Sequence, residues 1–278
     1  MGGIIWLASY PKSGNTWTRT FLHNLLLNPE KPVDINSITR FTLGDSDRGW
    51  FEKAGGKPYK DYSLREIAEL RPKVHKAFTE SYPDSVFVKT HHVFGKAFGV
   101  PLISMEYTAG AIYIVRNPLD VVTSLSDHFG LSLDEGIDLL NNPKGRAEDA
   151  DADGTVEHVL GSWSGHVQSW MPFDRRYMYI MRYEDMLEKP VETFGGVSRF
   201  LGLNPPEERL ARAVEFSSFD VVRKQEDEKG FFEQSKKNKR FFRVGKAGQW
   251  KDVLSDAQVK KIVKCHYDTM KHFNYLPD

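Results

Sequence analysis

The N-terminal residues of this chain combine a short apolar strand, a polar turn and an apolar helix, and this order strongly constrains the fold. The apolar run over residues 3–9 predicts a strand, and the apolar-rich stretch over residues 18–27 predicts a helix. The turn between them, residues 10–17, holds a lysine, a glycine and hydroxyl side chains. Backbone N–H groups at a helix start have no intrahelical partner, and the helix dipole adds positive potential there. The pattern therefore predicts a phosphate-binding cradle.

The turn resembles a P-loop but places its lysine differently. In the Walker A pattern GxxxxGK[ST] the lysine follows the last glycine, whereas here Lys12 precedes Gly14 and the loop lacks a first glycine. This departure indicates a phosphate ligand other than magnesium-bound ATP. The flexible ammonium of a lysine in such a turn can stabilise the negative charge that develops on a phosphate oxygen. We therefore interpret Lys12 as a functional residue rather than an ordinary surface lysine.

The composition favours a globular protein with no bulk attraction to polyanions. The chain has 278 residues, of which 40% are hydrophobic, and its 38 basic and 38 acidic residues balance. We therefore expect one domain spanning residues 1–278, with no nucleic-acid partner and no membrane span. The single cysteine, Cys265, excludes an intrachain disulfide and suits a reducing compartment. Since no signal-peptide pattern precedes the first strand, we expect a cytoplasmic protein.

Short apolar strands alternate with helical patterns along the rest of the chain. Further strands are predicted over residues 85–88, 111–115 and 176–181. Helices are predicted over residues 119–128, 155–171, 191–201, 207–216 and 255–273. Another helix begins with a capping-box pattern at residue 63 and is expected to break or restart at Pro72. This alternation predicts an α/β fold in which a central parallel sheet is flanked by helices.

Polar clusters stand just after the predicted strands. In parallel sheets, ligands bind beyond the carboxyl ends of the strands. The residues in such positions are Lys12, Lys89 with His91, Arg116 and Tyr183. We therefore expect these side chains to share one site at the edge of the sheet.

Some of the candidate residues also have ordinary structural interpretations. Arg116 and Ser124 together offer a guanidinium fork and a hydroxyl, which suit a phosphate monoester. An arginine before Asn-Pro, however, often has the structural role of holding a loop in place. Trp17 either packs in the core or stacks on a base. Arg243 and Gly245 belong to a loop of basic residues and glycines that either binds an anion or forms a solvated surface.

Two adjacent histidines, His91 and His92, follow Lys89 at a strand end. Imidazole has the unperturbed pKa best suited to accept a hydroxyl proton near neutral pH. A lone loop histidine is nevertheless more often a hydrogen-bonded structural residue. A metal site is disfavoured, because adjacent strand residues point to opposite faces and no zinc-ligand spacing accompanies them. We predict that no metal is bound.

Seven motifs, in order along the chain, resemble those of the cytosolic-type sulfotransferases, which use 3′-phosphoadenosine 5′-phosphosulfate (PAPS). Residues 10–17 resemble the family's 5′-phosphosulfate loop, and residues 113–124 resemble its 3′-phosphate motif. The other matches are Lys-Thr-His at 89–91, Gly-Ser-Trp at 161–163, Arg-Tyr-Glu-Asp-Met at 182–186, Ser-Ser-Phe at 217–219 and the glycine-rich loop at 243–251. The resemblance implies a P-loop-like nucleotide-binding fold.

The resemblance also implies a role for each matching residue. Lys12 would stabilise the leaving oxygen, His91 would take the acceptor proton, and Lys89 would stabilise the transferring sulfuryl group. The nucleotide would be bound by Lys12, Ser13, Gly14, Asn15, Thr16, Trp17, Arg116, Ser124, Tyr183, Ser217, Phe219, Arg243 and Gly245. These groups suit a loose in-line transfer, which depends on positioning and charge stabilisation more than on covalent chemistry.

The chain departs from the family pattern at several positions. Val244 replaces a second basic residue of the last loop, Asn15 stands where threonine is common, and His92 follows His91 where an apolar residue is usual. The family's dimerisation motif is not reproduced after Lys251. The resemblance therefore predicts no particular oligomeric state.

Together these observations predict a PAPS-dependent sulfotransferase that sulfates a hydroxyl of a small-molecule acceptor and releases 3′-phosphoadenosine 5′-phosphate (PAP). The alternatives are a P-loop-type nucleotide kinase, which the position of Lys12 disfavours, and a non-catalytic nucleotide-binding module, which would not require His91. An acceptor pocket is expected from residues 39–62, 93–105, 130–154 and 225–242. The aromatic residues of these segments either favour an aromatic or otherwise largely apolar acceptor or pack the loops themselves; they are Phe41, Trp50, Phe51, Phe94, Phe98, Phe231 and Phe232. Phenol, alcohol, lipid, sugar and antibiotic acceptors are all compatible with the sequence, and an amine is disfavoured.

Overall fold

Parallel strands form the centre of the computed structural model, which describes residues 2–82, 84–147, 154–174, 176–234 and 240–277. The strands are β1 (Ile4–Ser9), β2 (Thr42–Gly44), β3 (Val86–Thr90), β4 (Lys96–Ala97), β5 (Val100–Pro101), β6 (Thr108–Val115), β7 (Arg146–Ala147), β8 (His158–Val159) and β9 (Met178–Arg182). The central sheet has the order β2-β3-β1-β6-β9 and all its pairs are parallel. Strands β4-β5 and β7-β8 form two short antiparallel pairs.

Helices pack on both faces of this sheet. They are α1 (Asn15–Leu27), α2 (Ile38–Phe41), α3 (Arg48–Gly55), α4 (Leu64–Ser81), α5 (Pro118–Phe129), α6 (Leu133–Asn141), α7 (Trp163–Trp170), α8 (Tyr183–Glu188), α9 (Pro190–Phe200), α10 (Glu207–Phe216), α11 (Phe219–Lys229) and α12 (Asp256–His272). Within the described ranges, no helix is both long and apolar enough to cross a bilayer.

The central strands alternate their side chains between two hydrophobic clusters, one on each face of the sheet. In β1, Trp6 and Ala8 belong to the first cluster and Leu7 belongs to the second. In β6, Tyr113 belongs to the first cluster and Ile114 belongs to the second. Helices α4, α5, α6, α7 and α12 contribute to the first cluster, and α1, α9 and α10 contribute to the second. The predicted parallel sheet flanked by helices is therefore confirmed.

The expected helix break at Pro72 is wrong, because α4 runs through this residue. The apolar face of the helix continues on both sides of the proline, and Leu70 and Val74 both pack into the first cluster. Burial of this face offsets the backbone hydrogen bond that an internal proline removes. The predicted helix start is confirmed, since Ser63 and Glu66 form a capping box.

The helix predicted over residues 155–171 begins only at Trp163. Gly161 has a left-handed φ of 65°, and the Ser162 hydroxyl accepts a hydrogen bond from the Gly165 N–H at 3.2 Å. This cap fixes the helix start, and the residues before it include β8 instead. Strand β2 and helices α2, α3, α6 and α11 lie in segments for which no element was predicted.

Candidate active site

A cavity at the carboxyl edge of the central sheet brings together most of the residues predicted for the site. Its volume is about 150 Å³. The predicted residues that line it are Lys12, Gly14, Asn15, Thr16, Trp17, Lys89, His91, Arg116, Ser124, Tyr183, Phe219, Arg243 and Gly245. Ser13 and Ser217 are buried outside this lining, and the Ser217 hydroxyl donates to the Ala213 carbonyl at 2.9 Å.

The turn between β1 and α1 has left-handed backbone at two positions. Lys12 has a φ of 65° and Gly14 has a φ of 106°. A Cβ atom on residue 14 would lie 2.8 Å from Cδ2 of Tyr183, so only glycine allows this approach. The Asn15 side-chain amide donates to the Leu7 carbonyl at 2.8 Å and so ties the turn to β1. The start of α1, with its unpaired N–H groups, is thereby fixed at the cavity.

Arg116 joins the two predicted phosphate-binding loops. Its Nη1 donates to the Lys12 carbonyl at 2.9 Å, and its Nη2 donates to the Lys246 carbonyl at 3.5 Å. The guanidinium also lies over the Tyr183 ring, 4.3 Å from its centroid. Because the side chain is only 6% exposed and contacts both loops, it fixes the spacing between them.

A buried aspartate holds the C-terminal glycine-rich loop. Asp120 Oδ2 accepts a hydrogen bond from the Gly248 N–H at 2.7 Å, and Oδ1 accepts one from the Trp250 N–H at 3.1 Å. In the same loop, Gly245 has a φ of 64°, and a Cβ atom there would lie 2.3 Å from Cδ2 of Phe219. Glycine is therefore required for the loop to pack against this ring.

The resemblance to sulfotransferases implies PAP as a ligand of this loop, and on that expectation replacing Asp120 with alanine should weaken PAP binding about tenfold, because two loop N–H groups lose their acceptor. Adenosine 5′-phosphate, which lacks the 3′-phosphate, should lose less affinity. Calorimetric titration of both nucleotides measures the difference, with Asp268→Ala on the exposed face of α12 as the control. An unchanged PAP affinity would show that Asp120 does not position this loop for the nucleotide.

His91 and His92 have different surroundings. The His91 Nδ1 lies 2.8 Å from the Ser9 carbonyl oxygen, which can only accept, so in the neutral ring the lone pair is on Nε2. His92 is fully buried, and its Nδ1 accepts a hydrogen bond from the Val159 N–H at 3.0 Å. Burial, with the positive charge of Arg71 as a further cause, lowers the pKa of His92 well below its usual range. Only His91 of the two lines the cavity.

A third histidine that the sequence did not single out lies beside His91. The rings of His91 and His158 have centroids 5.5 Å apart, and both side chains line the cavity. The His158 Nδ1 lies 3.1 Å from Ser46 Oγ, and this hydroxyl donates to Asp45 Oδ1 at 3.1 Å. Because the Ser46 proton points to Asp45, His158 Nδ1 donates to the serine. The serine thus links the cavity to a buried carboxylate.

Asp45, His92 and His158 are also spaced closely enough to hold a metal ion. Their ligand atoms lie within 4.8 Å of one another, and no other such group occurs in the ranges that the structure describes. The hydrogen bond from Val159 places the His92 proton on Nε2, which faces Asp45 Oδ2 at 3.8 Å and has no lone pair to offer a cation. Arg71 also lies 3.7 Å from this carboxylate. The arrangement is that of a hydrogen-bond network.

The aromatic residues predicted for the acceptor pocket do not line this cavity. Phe41, for example, stacks on His23 with ring centroids 5.1 Å apart, and Phe51 is fully buried in the first cluster. The aromatic side chains that line it, apart from Trp17, Tyr183 and Phe219, are Phe129, Phe241 and Phe242. Of the segments expected to form the pocket, 148–153 and 235–239 lie outside the described residues.

Comparisons with known proteins show which family the chain matches. Residues 4–274 match the family described as "Sulfotransferase domain". Flavonol 3-sulfotransferase of Flaveria bidentis is 26% identical over 282 residues, which cover 94% of this chain and 79% of that protein. The 3-alpha-hydroxysteroid sulfotransferase of Cavia porcellus is 26% identical over 271 residues, which cover 94% of this chain and 82% of that protein.

Solved structures share the fold at lower sequence identity. Retinol dehydratase in complex with androsterone and inactive cofactor PAP has a TM-score of 0.67 and 19% identity, covering 96% of this chain and 80% of that chain. Mouse sulfotransferase SULT7A1 complexed with PAP has a TM-score of 0.62 and 20% identity, and the match covers 98% of this chain and 85% of that chain. The predicted P-loop-like α/β fold is confirmed. Since the family match spans almost the whole chain, this protein belongs to the sulfotransferase domain family and is an enzyme of that class.

Proposed function

We propose that this protein transfers the sulfuryl group of PAPS to a hydroxyl of a small-molecule acceptor. The main support is that the Lys12 turn and the Gly245 loop line one cavity together with His91. Arg116 contacts both loops, which suits a nucleotide with an anionic group at each end of its adenosine. The presence of PAP in the structures of retinol dehydratase and SULT7A1 supports the same ligand here.

In this proposal each loop binds one end of the nucleotide. The start of α1 and Lys12 bind the 5′-phosphosulfate, because helix N–H groups and an ammonium both favour an anion. Trp17 and Phe219, which both line the cavity, contact the adenine ring. The 3′-phosphate is held by Arg116, Ser124, Arg243 and Gly245.

The transfer needs a base and positive charge rather than a covalent enzyme intermediate. As the acceptor oxygen attacks sulfur, His91 Nε2 takes the hydroxyl proton. The new O–S bond forms while the S–O bond to the 5′-phosphate breaks, and PAP keeps the bridging oxygen. Lys89 stabilises the sulfuryl oxygens and Lys12 the bridging oxygen. Because these side chains and the helix start supply the charge, we propose that the reaction uses no metal.

The remainder of the cavity wall suits an apolar acceptor with a hydroxyl group. Aromatic walls bury flat ligands well, and a few polar groups then orient them. The lining residues not assigned to the nucleotide include His128, Phe129, His158, Val222, Phe241 and Phe242. The relatives are named for a flavonol and a hydroxysteroid, which are both largely apolar hydroxyl compounds. We therefore propose that the acceptor is a phenol or another largely apolar alcohol.

A sulfate-transfer screen tests this function. The purified protein is incubated with PAPS and a panel of phenols, flavonols, hydroxysteroids, aliphatic alcohols and amines, and product masses are read directly. We expect hydroxyl acceptors to gain one sulfuryl group while PAP forms in equal amount. Transfer to amines alone would contradict the hydroxyl acceptor. Phosphate transfer from magnesium-bound ATP, with no transfer from PAPS, would favour a nucleotide kinase.

A further inference from the structure

Arg19 is a buried charge that the proposed mechanism leaves unexplained. It lies on α1, and its side chain is 2% exposed. Its Nη1 donates to Glu233 Oε1 at 2.7 Å, and in the part of the chain that the structure describes no other carboxylate lies within ion-pair distance. The Arg19 Nε is buried without a hydrogen-bond partner among the same residues. A guanidinium in this position needs an anion, because an unpaired buried charge is costly.

The partner carboxylate lies in the cradle itself. Glu233 Oε1 lies 3.5 Å from Lys89 Nζ, and its Oε2 accepts a hydrogen bond from Thr16 Oγ1 at 3.4 Å. Lys89, Thr16 and Glu233 all line the cavity. Donors from two separate elements of the sheet edge, together with Arg19, therefore converge on one carboxylate. Two of these donors are residues that we assign to the phosphosulfate of PAPS.

We propose that Arg19 is a further ligand of the sulfuryl group of PAPS, and that the Glu233 carboxylate occupies this group's position until the nucleotide binds. This role presupposes the proposed function. Carboxylate and sulfuryl oxygens both accept charge-assisted hydrogen bonds from a guanidinium fork and an ammonium. Two anions in contact repel each other, so the carboxylate and the sulfuryl group cannot share these donors.

PAPS binding therefore exchanges one anion for another. Arg19, Lys89 and Thr16 release the Glu233 carboxylate and take the sulfuryl oxygens. The buried arginine stays paired in both states, so the cradle keeps its shape when it is empty. The exchange also lowers the apparent affinity for PAPS, because the carboxylate competes for the same donors. PAP has no sulfuryl group and competes less with Glu233.

Replacing Glu233 with glutamine tests the exchange, because it removes the charge and keeps the shape of the side chain. We expect Glu233→Gln to bind PAPS about tenfold more tightly than the wild type, with a smaller gain for PAP. The matched control is Glu228→Gln on α11, an exposed glutamate whose partner, Lys224, is 4.0 Å away. Calorimetric titration with each nucleotide, measured without acceptor, gives both dissociation constants.

Thermal unfolding supplies a second readout. Without nucleotide, Glu233→Gln should have a lower Tm than the wild type, because Arg19 then has an uncharged partner. At saturating PAPS the two proteins should have the same Tm, since the sulfuryl group replaces residue 233 in both. Unchanged or weaker PAPS binding, or a Tm deficit that persists at saturation, would overturn the exchange. If neither protein bound PAPS or PAP, the proposed function would fail and this role with it.

Discussion

Replacing His91 with alanine should lower turnover with a hydroxyl acceptor about 10²–10⁴-fold and leave the affinity for PAP nearly unchanged. The hydrogen bond from His91 Nδ1 to the Ser9 carbonyl sets the tautomer in which Nε2 carries the lone pair. Alanine removes this base but none of the groups that we assign to the nucleotide. The loss should therefore appear in kcat, whereas calorimetry should find PAP binding intact.

Two other histidines serve as comparisons for this experiment. His272→Ala, at an exposed position of α12, should retain full turnover. His92→Asn should lower stability rather than the turnover of the folded protein, because the shorter side chain can keep the bond from the Val159 N–H but loses buried ring volume and the Nε2 contact with Ser46 Oγ at 3.5 Å. Near-normal turnover in His91→Ala would remove this residue from the mechanism. A loss confined to His92→Asn, with the fold intact, would transfer the role of base to His92.

Replacing Lys12 with methionine should lower both turnover and nucleotide affinity, with a loss of about 10²–10³-fold in turnover. Methionine keeps most of the side-chain length and removes the charge that we assign to the leaving oxygen of PAP. The Lys12 ammonium lies over the Phe241 ring, 3.8 Å from its centroid, and both residues line the cavity. The charge therefore lies where the nucleotide would bind. We therefore expect the substitution to affect both the bound nucleotide and the transition state.

Steady-state kinetics and PAP calorimetry on the same preparations separate these two effects. Lys73→Met, at an exposed position of α4, controls for the loss of one positive charge. A fall in PAP affinity with unchanged kcat would restrict Lys12 to binding. Unchanged values of both would exclude Lys12 from the phosphosulfate site.

Local sequence patterns predicted the strand–turn–helix order of the cradle, because its parts are contiguous. The strand, the Lys12 turn and the start of α1 follow one another directly, so the apolar pattern and Gly14 define them together. Arg116 and Tyr183 were placed correctly for a related reason: each follows a short apolar strand, and parallel strands end at the same edge of the sheet.

The remaining parts of the site depend on contacts between distant segments. Asp45 and Ser46 are adjacent, but His158 follows Ser46 by 112 residues. The three form a network only because the segment after α1 returns to the sheet edge as β2. The contact between Arg19 and Glu233 likewise spans most of the chain. No local pattern distinguishes an aromatic residue that lines a cavity from one that packs a loop, and Phe41, which stacks on His23, does not line this cavity.

The central claim is that the Lys12 turn and the Gly245 loop bind the two ends of one 3′-phosphorylated adenine nucleotide. Calorimetric titration of the wild-type protein with PAP, and separately with adenosine 5′-phosphate and with magnesium-bound ATP, tests it most directly. We predict that PAP binds with one-to-one stoichiometry, that adenosine 5′-phosphate binds much more weakly, and that magnesium-bound ATP gives no measurable binding. Tight binding of magnesium-bound ATP by a protein that does not bind PAP would contradict the claim.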